Sequence, residues 1–139
     1  MKQHQETITI RTRGKGLQEI TGVIASWLSR QGVASGMVTI FCQHTSASLT
    51  IQENADADVQ RDLETFFDRS VREDPALYRH TAEGADDMPA HIRSALTDVQ
   101  LTIPVRNGSM TLGTWQGVYL FEHRASLHSR HLVLHFLGD

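Results

Sequence analysis

The chain has 139 residues, a length that fits one domain with one hydrophobic core. Its 13 Lys and Arg residues against 16 Asp and Glu residues give a formal net charge of -3, which excludes the cationic surface that holds nucleic acid or an anionic membrane. The first residues lack the apolar region of a signal peptide and no apolar run approaches the ~20 residues of a membrane span, so a cytoplasmic protein with no nucleic-acid or membrane partner is expected.

Hydrophobic periodicity divides the chain into strands and helices. In chain order it predicts strand 7–12, helix 17–31, strand 36–44, a short strand within 45–51, helix 55–69, loop 70–87, helix 87–96, and strands 99–105, 110–112, 114–123 and 131–137. Gly32 is placed to end the first helix, and Asn107-Gly108 predicts a tight hairpin. Strand-rich ends around two to three helices favour an α+β fold with an antiparallel, sandwich-like sheet core, in a single domain over 1–139.

The stretch 70–87 is polar, with few apolar anchors and no sustained period. Loops longer than ~12–15 residues are uncommon in compact domains unless they carry function, so this loop is a candidate active-site segment. It contains His80, which is either a general acid or base or simply a solvated side chain. Few apolar anchors also predict that the loop is the most mobile part of the protein.

Eight histidines are the unusual feature of the composition, because imidazole is the commonest protein metal ligand. Three of them lie at the ends of predicted elements: His44 and His123 end strands, and His91 lies one turn inside a helix. Three protein ligands and one open position are typical of a catalytic zinc site. None of the three forms a local metal-binding pair, so the alternative is three independent surface histidines.

Carboxylates next to these histidines have two interpretations. Asp86 and Asp87 precede a helix, where Asp87 would serve as an N-cap or would orient His91 through a hydrogen bond. The same alternatives apply to Glu53 and Glu122. Strand parity puts Glu122 on the face opposite His123, which favours Glu53 as the orienting acid.

The turn after His44 carries three hydroxyls, from Thr45, Ser46 and Ser48. A Ser–His nucleophile is conceivable, but the Gly-x-Ser-x-Gly elbow is missing. The preferred interpretation is that hydroxyls and turn N–H groups hold a phosphate or carboxylate, with Arg124 as the cationic partner.

Four segments together resemble the YjbQ family over nearly the whole chain. They are HTSASLTIQEN at 44–54, EGADDMPAH at 83–91, LGTWQGVYL at 112–120 and EHR at 122–124. The resemblance implies a homotrimer, a zinc-type divalent metal held by histidines, and a thiamine phosphate synthase activity that is secondary in the family. That transferase reaction joins an aminopyrimidine-methyl pyrophosphate to a thiazole phosphate and releases pyrophosphate, so the expected partner is a small phosphorylated metabolite.

The resemblance and the residue patterns together give one set of assignments. The metal ligands are His44, His91 and His123, the catalytic residues are Glu53, Asp87 and His80, and the substrate-binding residues are Thr45, Ser46, Ser48 and Arg124. Two alternatives remain beside the synthase: a metal-dependent hydrolase of a small phosphorylated metabolite, and a non-enzymatic metal-binding trimer. If the three-histidine set fails, His80 is the next candidate ligand.

Overall fold

A computed structural model, which covers residues 1–139, confirms an α+β fold. Its elements are β1 (Lys2–Thr12), β2 (Gly16–Glu19), α1 (Thr21–Gln31), β3 (Gly36–Cys42), β4 (Ala47–Glu53), α2 (Ala57–Ser70), a 3-10 turn (Pro75–Leu77), α3 (Asp87–Leu96), β5 (Gln100–Arg106), β6 (Ser109–Met110), β7 (Gln116–Glu122) and β8 (His128–Gly138). The predicted order of strands and helices is confirmed except for β2, a strand that was not predicted and that lies where the first helix was expected to begin, and several boundaries move.

Two boundaries were set by tertiary pairing rather than by local pattern. β1 begins at Lys2 instead of residue 7, because it pairs with β8 over its whole length, from Lys2 opposite Gly138 to Thr12 opposite His128. The first helix begins at Thr21 instead of residue 17, because Leu17 lies in β2 and pairs with Phe121 of β7.

All strands pair antiparallel and form two sheets. The larger sheet has the order β1-β8-β3-β5-β6, and the smaller has the order β2-β7-β4. Between them lies the core, to which α1 contributes Ile24, Trp27 and Leu28 and the central strands contribute Val38, Ile40, Leu132 and Leu134. This arrangement is the sandwich-like core that the sequence predicts.

Two predicted turns are confirmed by their backbone angles. Gly32 ends α1 in the left-handed conformation, with φ of 64°. Asn107 and Gly108 both have positive φ, 51° and 76°, which is the requirement of a tight type I′ hairpin turn between β5 and β6.

The outer face of the five-stranded sheet is not packed against a helix or a second sheet. Met37, Phe41 and Leu137 on this face remain 50, 41 and 38% exposed. His131 and His135 share the same face. Cys42 points to the core and is buried, and burial raises the pKa of its thiol. None of the helices has the length and apolar character needed to cross a membrane.

Candidate metal centre

Three side chains bring metal-ligating atoms together at the start of α3. Nε2 of His80 lies 2.7 Å from Oδ2 of Asp87, and Nε2 of His91 lies 3.2 Å from the same oxygen. One ligand atom from each of these residues lies within 4.8 Å of the other two. Asp87 is buried, whereas the two imidazoles are partly exposed and connect the cluster to solvent.

Local structure explains why these three residues meet. Asp87 is the first residue of α3 and His91 follows four residues later, so both side chains lie on one helical face. The loop after α2 delivers His80. It contains the 3-10 turn Pro75–Leu77, in which the Ala76 N–H donates to the Asp74 carboxylate. Part of the predicted loop is therefore turn structure, and the loop presents the His80 imidazole to the start of α3.

Arg124 holds the carboxylate side of the cluster. Its Nη1 donates to Oδ1 of Asp87 at 2.7 Å, its Nε donates to Oδ2 of Asp86 at 3.0 Å, and its Nη2 donates to the Glu83 carbonyl. The backbone N–H of Ala125 also donates to Asp86. Arg124 was predicted to bind substrate; in this structure its guanidinium is engaged by protein groups and fixes the orientation of Asp87.

These contacts keep Asp87 ionised. Burial by itself raises the pKa of the Asp87 carboxyl, but the hydrogen bond with His80 and the charges of Arg124 and His91 outweigh burial and hold the pKa below its usual value. Oδ1 is occupied by Arg124, so Oδ2 remains as the anionic oxygen that faces both imidazoles. Asp87 was predicted as an N-cap or an orienting acid, but Asp86 occupies the cap position and Asp87 belongs to the cluster itself.

His44 does not reach the cluster. Its Nε2 accepts a hydrogen bond of 2.7 Å from the backbone N–H of His131, and its Nδ1 lies 3.4 Å from the Arg130 guanidinium. Its ring stacks on His131 with centroids 5.9 Å apart. Burial, and then the charges of Arg130 and His131, lower the pKa of His44. The structure therefore does not bring His44, an expected metal ligand, to the cluster, and Nε2 of this residue is already used as an acceptor.

His123 is buried at the end of β7, away from the cluster. Its Nε2 lies 2.8 Å from Oγ of Ser48, and Thr97 donates to that hydroxyl. Burial, and then the charge of Arg93, lower the pKa of His123 to about 3, so the ring is neutral. The structure therefore does not bring His123, an expected metal ligand, or Ser48, an expected substrate contact, to the cluster: both are 1% exposed and each is the other's partner.

The remaining predicted site residues also lie elsewhere. Thr45 and Ser46 line an open concavity with His44, and the Ser46 carbonyl accepts from Arg130. Glu53 ends β4 opposite Gln116, and its carbonyl oxygen lies 3.5 Å from the Tyr119 hydroxyl. The contacts of Glu53 include no histidine, so its expected catalytic role has no support from the geometry.

Sequence reasoning therefore found His91, Asp87 and His80 but gave only His91 the role of a ligand. A stronger signal was present in the Asp87-x-x-x-His91 spacing, because residues four apart on a helix can share one ion. The alternating polar and apolar pattern around His44 and His123 located the ends of β3 and β7 to within two residues. It did not show that His123 turns into the core beside Ser48 while the next residue, Arg124, reaches Asp87.

Comparison with known proteins gives consistent relatives. A family model described as UPF0047 protein YjbQ-like matches residues 6–139. A UPF0047 protein of Synechocystis is 52% identical over 138 residues, covering 99% of this chain and 94% of that protein. The UPF0047 protein YjbQ of Salmonella typhimurium is 43% identical, covering 98% of this chain and 99% of that protein.

Solved structures agree with the fold. A protein of Clostridium acetobutylicum, described as an uncharacterized conserved protein of the YjbQ/UPF0047 family, superposes with a TM-score of 0.86 at 31% identity, covering 95% of this chain and 99% of that chain. A conserved hypothetical protein of Thermus thermophilus gives 0.85 at 32% identity, with the same coverage.

These comparisons correct the functional expectation. Relatives of this similarity are named only by the UPF0047 designation, and the Clostridium structure is described as uncharacterized. A thiamine phosphate synthase activity is therefore not supported, and that expectation was wrong.

Proposed function

This chain belongs to the YjbQ-like UPF0047 family, and from that premise we propose a function based on its own side chains: the protein binds a divalent, zinc-type metal ion through His80, Asp87 and His91. The single observation that carries the proposal is the convergence of their three ligand atoms within 4.8 Å. Two imidazole nitrogens and one carboxylate oxygen match the donor types that zinc uses in catalytic sites.

The surroundings of the cluster support the same proposal. Metal-ligating carboxylates are usually oriented by a further hydrogen bond, and Arg124 supplies one to Oδ1 of Asp87. Arg124 is itself held by Asp86, so the carboxylate is fixed by a second layer of charged groups.

The number of donors bears on what the ion would do. Structural zinc sites use four protein ligands, whereas three leave room for a ligand from solution. When bound, such an ion supplies Lewis-acid activation and lowers the pKa of a bound water. His80 and His91, at 44 and 35% exposure, keep the cluster accessible to such a ligand.

Metal content tests the proposal directly. The dialysed protein should retain zinc, and His80→Ala, His91→Ala and Asp87→Asn should each weaken zinc binding by more than the ~10–100-fold expected for loss of an orienting neighbour. Arg124→Gln should fall within that ~10–100-fold range. His44→Ala is the matched control, and it should bind zinc like the wild type. Full zinc affinity in two of the three ligand variants would refute the site.

The identity of the metal is measured in the same experiment. A site of two histidines and one carboxylate is also used by iron(II), so elemental analysis of protein purified without added metal decides between the two ions. Zinc as the dominant element is the expected result. Iron as the dominant element would support the same three ligands but would show that the bound ion is iron rather than zinc.

We also propose that the chain forms a homotrimer through the outer face of the five-stranded sheet. The family resemblance supports this assembly, and so do the exposed apolar side chains Met37, Phe41 and Leu137 on a face that no helix covers. Light scattering should give the mass of three 15.6 kDa subunits. Phe41→Asp should dissociate the trimer, whereas Phe66→Asp, an exposed aromatic residue on α2, should not. A monomeric wild type at micromolar concentration would contradict the proposal.

A further inference from the structure

A second concave region lies beside the connection between β1 and β2. It is an open groove of about 590 Å³, lined by Arg11, Arg13, Gly14, Lys15, Glu64 and Glu122 among others, with a single apolar side chain in its wall. Its volume lies within the range of small-molecule sites. A wall this polar is suited to a charged ligand rather than an apolar one.

Some of the charged side chains that face this groove have a partner of opposite charge, and others have none. Lys15 is paired with Glu73, and Glu122 is neutralised by Arg130. Glu64 lies in the wall and accepts a weak hydrogen bond from the backbone N–H of Leu17.

Arg11 and Arg13 take part in none of the ion pairs or side-chain hydrogen bonds of the structure, although both line this groove and the neighbouring concavity around His128. A single unpaired surface arginine is ordinary. Two that border the same groove give it an excess of positive charge, even when Glu64 is counted against them.

The groove continues into a smaller recess. The recess, about 180 Å³, shares Lys15, Gly16 and Glu64 with the groove and is walled by Phe67 and Phe121. Arg93 also lines it and is only 4% exposed. Nη2 of Arg93 donates to Asp68 and to the Val71 carbonyl, and its Nε–H is buried without a partner. Arg93 is therefore part of the wall of the recess, and the accessible cationic groups belong to the groove.

We propose that the groove and the recess bind a small soluble molecule that carries a phosphate group, with the phosphate between Arg11 and Arg13. Guanidinium groups match phosphate oxygens in bidentate geometry, and two of them favour a dianion over a carboxylate. This site goes beyond the metal centre and does not require the metal. The two are neighbours, because Gly14 packs against the Ala125 carbonyl and the Ala125 N–H donates to Asp86.

The test is titration of the full-length protein with inorganic phosphate, followed by amide NMR shifts and calorimetry. The protein is first treated with EDTA, so that phosphate bound to a metal ion does not contribute. Arg11→Gln and Arg13→Gln should each weaken binding about tenfold or more, as expected for loss of a charge-assisted hydrogen bond. Arg106→Gln, an exposed arginine without an ion pair at the far end of β5, is the matched control and should bind phosphate like the wild type.

Each other outcome counts against the groove. Equal binding by Arg11→Gln, Arg13→Gln and Arg106→Gln would refute it, as would amide shifts located away from residues 11–18. Acetate that binds as tightly as phosphate would refute the phosphate assignment. Phosphate binding that appears only in zinc-loaded protein and is insensitive to Arg11 would refute the groove while leaving the metal centre intact.

Discussion

Substitution of Glu122 by glutamine removes one charge from a carboxylate that five hydrogen bonds hold in the core. The donors are the Thr12 hydroxyl, the backbone N–H groups of His123 and Arg124, and both Nε and Nη2 of Arg130. Glu122 and Arg130 are 1 and 4% exposed. The variant leaves the guanidinium buried without its counter-charge and turns an amide NH₂ toward groups that also donate.

The expected loss of stability follows from burial. Removal of one partner of a buried ion pair costs about 3–5 kcal/mol, because the remaining charge stays desolvated. A matched control is the exposed pair of Asp58 and Arg61, whose side chains are 72 and 76% exposed. Asp58→Asn should cost no more than ~0.5 kcal/mol, the typical value for a surface pair on a helix.

The same carboxylate makes stability depend on pH. Burial raises the pKa of Glu122, but the hydrogen bonds from Arg130 and Thr12 outweigh burial and leave the pKa below its ordinary value. A carboxyl with a depressed folded pKa contributes stability that is present above its unfolded pKa of about 4.3 and is lost as pH falls through the folded pKa. The Glu122→Gln variant should therefore lose less stability on acidification than the wild type.

Urea unfolding at pH 7 and in the acid range measures both effects at constant protein concentration. Fluorescence of Trp27, which is buried in the core, reports the transition. A loss below ~1 kcal/mol for Glu122→Gln at pH 7, or a loss equal to that of Asp58→Asn, would refute the claim that the buried pair stabilises this edge of the sandwich.

Three further predictions use other parts of the fold. The pKa of His123 is lowered to about 3, so its contribution to stability is present above the unfolded pKa of about 6.5 and is lost as pH falls. His123→Gln should therefore flatten the dependence of the unfolding free energy on pH in this range. An unchanged slope would contradict a buried, neutral His123. Gly108→Ala should destabilise the protein by ~1 kcal/mol, because Gly108 has φ of 76° in the hairpin turn. Gly22→Ala, in α1 with open space around it, is the control and should be neutral or stabilising. Thermal unfolding of the two variants measures the difference. The loop 71–86 should exchange its backbone amides faster than the strands, and equal protection by hydrogen exchange would oppose that prediction.

The sequence determined the local features of this protein. Period-2 and period-3.6 patterns located nearly all the strands and helices, and the turn residues Gly32, Asn107 and Gly108 marked positions whose backbone the structure confirms. These features depend on nearest neighbours along the chain, so they can be predicted without knowledge of distant contacts. The spacing of Asp87 and His91 belongs to this class as well, because a helix by itself brings residues four apart together.

Only the tertiary structure decided which distant residues share a site. His44 and His123 lie just after β3 and β7, but antiparallel pairing puts one beside His131 and the other beside Ser48, so Nε2 of each ring is already engaged. His80 reaches Asp87 because a loop with a capped 3-10 turn folds back on α3. Convergence of this kind is set by the register of the sheets and by the path of the loop, and no local period in the sequence encodes either of them.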